Sequence, residues 1–186
     1  LPREAQAGLV ASLRAALPTT EQRRALPLTA LFLATSFLVA LTVGFGLGAW
    51  LLLHVTLGLP LPGGSWLPLV QAHGHAQLVG FAGILVMGIG YRILPRFRST
   101  DDPSSRLVLL SYVAVVAGLV ARVVAQPLLD IPPRSLLLFL SGPLELGGGL
   151  VYAAVALRTL SLGSNPHRAD EVLLAAAAAW FPIGLM

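Results

Sequence analysis

Four long apolar windows, at residues 28–53, 66–94, 107–128 and 136–160, alternate with short polar segments, and a fifth apolar run opens at Val172. A helix that crosses the hydrocarbon core needs ~20 residues, so each of the first four predicts a complete span. The run from Val172 stops short of that length, and no initiator Met begins the chain; both lead us to expect a fragment of a longer bundle. The windows are apolar on every side, as lipid-spanning helices are, and none shows the period of two that a barrel strand requires. The fold class expected is therefore all-α: a polytopic transmembrane helical bundle of four complete spans plus the start of a fifth. Residues 27–186 form the transmembrane helical domain. Residues 1–26 read as a separate N-terminal segment, with Leu9, Val10, Leu13 and Leu17 at the spacing of an interfacial helix. Pro27 fits the first turn of the first span. Asp101-Asp102-Pro103-Ser104-Ser105 reads as a tight turn that supplies caps for the third.

Composition agrees with this reading and removes several function classes. The chain is 56% hydrophobic and 11% charged, against about a quarter charged in a soluble domain. Cysteine is absent, which excludes disulfides, thiolate metal sites and thiol catalysis. All 12 basic residues are arginine, and they sit at the ends of apolar windows. A nucleic-acid partner would call for a basic stripe with interleaved aromatics, so the partner implied is the lipid bilayer. Arg3, Arg14, Arg23 and Arg24 precede the first window, and Arg92, Arg96, Arg98 and Arg106 follow the second. Arg158 and Arg168 follow the fourth, whereas residues 54–65 hold no charged side chain. This alternation predicts a multi-pass protein of the bacterial inner membrane, N-terminus cytoplasmic, with its histidine-bearing ends outside.

Histidine is where chemistry enters. His73-Gly74-His75-Ala76-Gln77 opens the second window, and His54 closes the first at what should be the same depth. An imidazole facing hydrocarbon needs a partner, because its burial alone costs several kcal/mol. His73, His75 and His54 are the candidate metal ligands. His73 and His75 stand about 200° apart on a regular helix. Either one ligates while the other takes a hydrogen bond, or Gly74 unwinds the turn so that both converge. Gln77 lies a turn from His73 and is a candidate second-shell partner. Arg122 and Glu145 are ionisable groups inside the third and fourth spans, and each should find a partner, face a wet cavity or, for Glu145, be protonated. For Arg122 the partner is a carboxylate such as a haem propionate, or Glu145, or Asp130. Glu145 follows Pro143, which is expected to kink the fourth span, and precedes Gly147-Gly148-Gly149. Gly44, Gly46 and Gly48, like Gly80, Gly83, Gly88 and Gly90, are read first as helix contacts. The second glycine set would also admit a flat macrocycle. Tyr91, Arg92 and Phe97 are expected interfacial anchors. His167 is given no role.

The stretch from Gln71 to Phe81, together with Tyr91-Arg92-Ile93-Leu94-Pro95-Arg96-Phe97, resembles the NnrS family of haem- and copper-containing membrane proteins. More distantly it is similar to the second helix of the haem–copper oxidase catalytic subunit. The resemblance runs roughly over residues 66–160 and includes an arginine late in the third span, where Arg122 stands. It implies a haem-binding protein linked to nitric oxide response or to respiration, with a b-type haem and with copper as a second candidate. His75 or His73 would be the axial ligand, His75 being favoured, with Gln77 and Arg122 among the cofactor-binding residues. If the chain is an enzyme, the resemblance makes it an oxidoreductase. The later histidines of an oxidase are missing, so other membrane subunits or a remainder of the chain would complete such a site. The alternative class is a non-catalytic membrane subunit that scaffolds a larger complex.

Overall fold

A computed structural model describes residues 20–61, 65–127, 133–162 and 169–184, and the described residues form only helices and their connections. The first helix begins at Thr20, and its apolar part, Leu28–Leu57, is called α1. It is followed by α2 (Trp66–Arg98), α3 (Ser105–Ala125), α4 (Arg134–Leu162) and α5 (Ala169–Gly184). By length and hydropathy α1 to α4 can each cross a membrane, and α5 is apolar but shorter, over Val172–Gly184. The protein is a multi-pass membrane helical bundle, as the apolar windows predict. Asp130, His167 and residues 1–19 of the N-terminal segment lie outside the described residues.

Local sequence explains where the helices stop. Gly58 takes a left-handed conformation (φ 70°) at the end of α1, a geometry that costs glycine nothing. Ser99 does the same at the end of α2 with φ 51°, and the amide of Thr100 closes the turn on the Pro95 carbonyl at 2.9 Å. Ser104 occupies the N-cap of α3 as expected, although its hydroxyl makes no capping bond. Two expectations need correction. Pro27 is not in a first turn, because helix begins upstream at Thr20. Tyr91 is not an interfacial anchor: it is 7% exposed, among the buried residues of the core, while Phe97 on the same helix is 61% exposed. The i, i+4, i+7 face of Met87, Tyr91 and Leu94 turns inward.

Lipid offers no hydrophobic drive between helices, so the bundle depends on close packing and on polar bonds. A chain of aromatic rings joins all five helices. Tyr112 of α3 meets Phe32 of α1 at 5.0 Å, and Phe32 meets Tyr91 of α2 at 5.8 Å. Tyr91 meets Tyr152 of α4 at 5.1 Å, and Tyr152 meets Phe181 of α5 at 4.9 Å. The tightest seam lies between α3 and α4. Ser111, Val115 and Gly118 face Ser141, Glu145 and Gly148, each set at i, i+4 and i+7. A methyl group at Gly118 would stand 2.7 Å from the Ser141 carbonyl oxygen, and one at Gly148 would stand 2.8 Å from that of Ser111. The backbones themselves are in contact there. Gly118→Leu should therefore destabilise the bundle by about 2 kcal/mol or more, read as a lowered midpoint of unfolding in detergent, whereas Leu at Gly147, which meets no neighbour within 4 Å, should leave that midpoint nearly unchanged.

Candidate functional site

Both long histidine-end helices contain a widened, π-type stretch. In α1 it covers Ala40–Gly44, and in α2 it covers Ala76–Gly83, directly after the histidine pair. The two stretches pack against one another. Such turns shift helix register and loosen the backbone ladder, and they are frequent where a helix serves a site. Here the Gly44 carbonyl, at the end of the first widened turn, accepts a hydrogen bond from His73 Nδ1 at 2.8 Å. The His73 ring packs on Gly48, where a methyl group would come within 2.7 Å of Cε1. Gln77 fills the space over Gly44 in the same way, with Nε2 2.8 Å from where a methyl group would stand. Gly44 and Gly48 are thus the helix contacts that their spacing suggests.

His75 looks the other way. Its Nε2 is 2.8 Å from Glu145 Oε2 on α4. Glu145 is fully buried, and its second oxygen, Oε1, lies 3.9 Å from Arg122 Nε on α3. With Glu145 as the carboxylate, His75 donates to one oxygen and the guanidinium opposes the charge from the other side. The contact at Oε1 is too long for a hydrogen bond, so both Oε1 and Arg122 Nε are buried without one among the described residues. A turn away along α2 and α3, Gln126 Nε2 donates to Gln71 Oε1 at 3.2 Å. The cluster therefore draws on three helices, with Gly118 making room for the Glu145 side chain against α3.

His73 and His75 do not converge, as their 200° separation on a regular helix anticipates. The helix stays regular through His75 and widens only from Ala76, so Gly74 does not unwind the turn. Arg122 meets Glu145, one of the carboxylates considered for it. Gln77 shares Gly44 with His73, but no hydrogen bond joins the two side chains among the described residues. His54 is not at their depth: it stands six residues beyond Gly48, roughly 9 Å along the helix. Its Nδ1 donates to the Leu59 carbonyl and its ring faces Trp66 at 5.8 Å. Among the described residues no three His, Asp or Glu side chains come together as a metal-holding group. Gly80, Gly88 and Gly90 each receive a side chain from a neighbouring helix, namely Val39, Phe32 and Tyr152. The Gly44 carbonyl was invisible in sequence, since a main-chain acceptor carries no residue signature. The Tyr91–Ser111 bond at 2.8 Å was missed because Tyr91 sits beside arginines.

The chain matches no protein-family profile, no curated protein and no solved structure. Its functional reading therefore rests on its own residues and on the motif around His73.

Glu145 gives this site its sharpest test. Glu145→Ala leaves the Arg122 guanidinium without a counter-charge and should cost about 3 kcal/mol. Glu145→Gln removes the same charge but retains an acceptor for His75, and should cost about 1 kcal/mol less. Reversible unfolding of the two variants in the same detergent checks the order.

Proposed function

We propose that this chain is a haem-binding integral membrane protein of the NnrS-like, haem–copper oxidase-like type, acting in nitric oxide response or respiratory redox chemistry. In this reading it lies in the bacterial inner membrane with its N-terminus in the cytoplasm, and His73 is the axial ligand of a b-type haem. The observation that carries the reading is the bond between His73 Nδ1 and the Gly44 carbonyl. A carbonyl can only accept, so the neutral ring holds its proton on Nδ1 and keeps its lone pair on Nε2. Metal-binding imidazoles are oriented and made more basic in this way. His75 has its Nε2 engaged with Glu145, so the choice between the two histidines moves from His75 to His73.

One imidazole so prepared fits one axial position. A bound haem would supply reversible one-electron chemistry and an iron site for a small diatomic ligand. The chain's part is to hold the imidazole by the Gly44 carbonyl and against Gly48, and to neutralise the buried Glu145 with Arg122. Arg122 thereby offers Glu145 its counter-charge through Nε. A second reading, a non-catalytic subunit that scaffolds a larger membrane complex, is favoured by one observation: His75, Glu145 and Arg122 answer one another within the chain.

An absorption spectrum of protein purified from membranes separates the two. The haem reading expects a Soret band that His73→Ala abolishes and His75→Ala retains. A colourless preparation that is folded and membrane-inserted supports the scaffold instead. Orientation has its own check, made simple by the absence of cysteine. Ser65→Cys should react with an impermeant maleimide added outside intact cells, and Asp101→Cys should react only after the membrane is opened.

A further inference from the structure

Tyr152 is the hydroxyl in this bundle that the packing leaves without a use. Of the 3 tyrosines, Tyr91 bonds Ser111 at 2.8 Å and Tyr112 bonds Thr35 at 2.7 Å. The Tyr152 side chain is 5% exposed, yet its hydroxyl has no hydrogen-bond partner among the described residues. It emerges beside Gly90 of α2, where any side chain would collide with it. Both residues line a cleft of about 340 Å³ between α2 and α5, walled by Ile93, Phe97, Ala177 and Phe181. The hydroxyl opens into this apolar cleft with no protein acceptor among the described residues, so a partner arriving from outside the chain has something to satisfy.

We propose that this cleft binds a membrane-dissolved quinone, whose ring carbonyl accepts the Tyr152 hydrogen bond. The walls carry no charge, which excludes an ionised ligand, and the single donor suits a single carbonyl. Entry is through lipid, since Phe97 and Ala177 at the rim are exposed on the bundle's apolar surface. The volume falls at the lower end for small-molecule pockets and suits a substituted ring with the first part of an apolar tail. Phe181, 4.9 Å from the Tyr152 ring, offers the planar head a face to stack on. Depth favours a quinone over a phospholipid ester. Tyr152 lies six residues from Arg158 on α4, so the donor stands ~9 Å along the helix from that charge. Ester carbonyls sit at the boundary of the hydrocarbon core. The site shares no residue with His73, and it stands or falls independently of the haem reading.

The test is a titration of the purified protein with decylubiquinone, following the quenching of tryptophan fluorescence, with Trp180 on α5 as the nearest reporter. Saturable binding is expected, weakened about tenfold by Tyr152→Phe, the loss of one hydrogen bond. It should be abolished by Ala177→Phe, which fills the cleft from its exposed rim without touching the core. Non-saturable quenching of equal size in the parent and both variants overturns the proposal. So does equal displacement of decylubiquinone by a short-chain phosphatidylcholine, which brings ester carbonyls and no quinone ring.

Discussion

A carboxylate with no exposed surface, set within a helix that crosses lipid, is the constraint around which this bundle is arranged. Glu145 has no access to water, and a charge at such depth must be answered by protein. The answer comes from two other helices, His75 on α2 and Arg122 on α3. For the side chain to fit between them, α3 must carry glycine at position 118, and the backbones of α3 and α4 must touch. One ionisable residue thus fixes the register of three helices. The arrangement costs some stability, since Oε1 and the Arg122 Nε are held near each other without a hydrogen bond. Its return is specificity, because few other packings of these helices would bring both partners to the same carboxylate.

The division of labour between the two neighbouring histidines follows from that register. Once His75 is turned to α4, helical geometry points His73 to α1, where a widened turn presents the Gly44 carbonyl. The imidazole bonded to the buried carboxylate and the imidazole bonded to a main-chain carbonyl are therefore different residues. Further along, the aromatic chain from Tyr112 to Phe181 ties all five helices through edge contacts, so the histidine end rests on a packed base.

Much of the architecture was legible from residue pattern. The apolar windows marked α1 to α4. Arg122 and Glu145 declared themselves as needing partners, and the Arg122–Glu145 pair was among the few options. What could not be read was direction. The widened turns over Ala40–Gly44 and Ala76–Gly83 change which way each later side chain faces, and no residue type demands them. Tyr91 shows the same limit. Beside Arg92 it looks like an interfacial ring, but its partners, Ser111 and Tyr152, lie on helices that only the folded bundle brings near.

Hydropathy alone determined that this chain crosses a membrane several times as helices, because lipid leaves the backbone no other way to satisfy its polar groups. The same rule determined that His73, His75, Arg122 and Glu145 would be bound to something, since their burial alone is too costly. Tertiary structure decided what each is bound to. Pairing across helices depends on rotation and register, which differ by fractions of a turn and leave no trace in composition or spacing. That is why His75 met Glu145, His73 met a main-chain carbonyl, and the hydroxyl of Tyr152 was left facing the cleft beside Gly90.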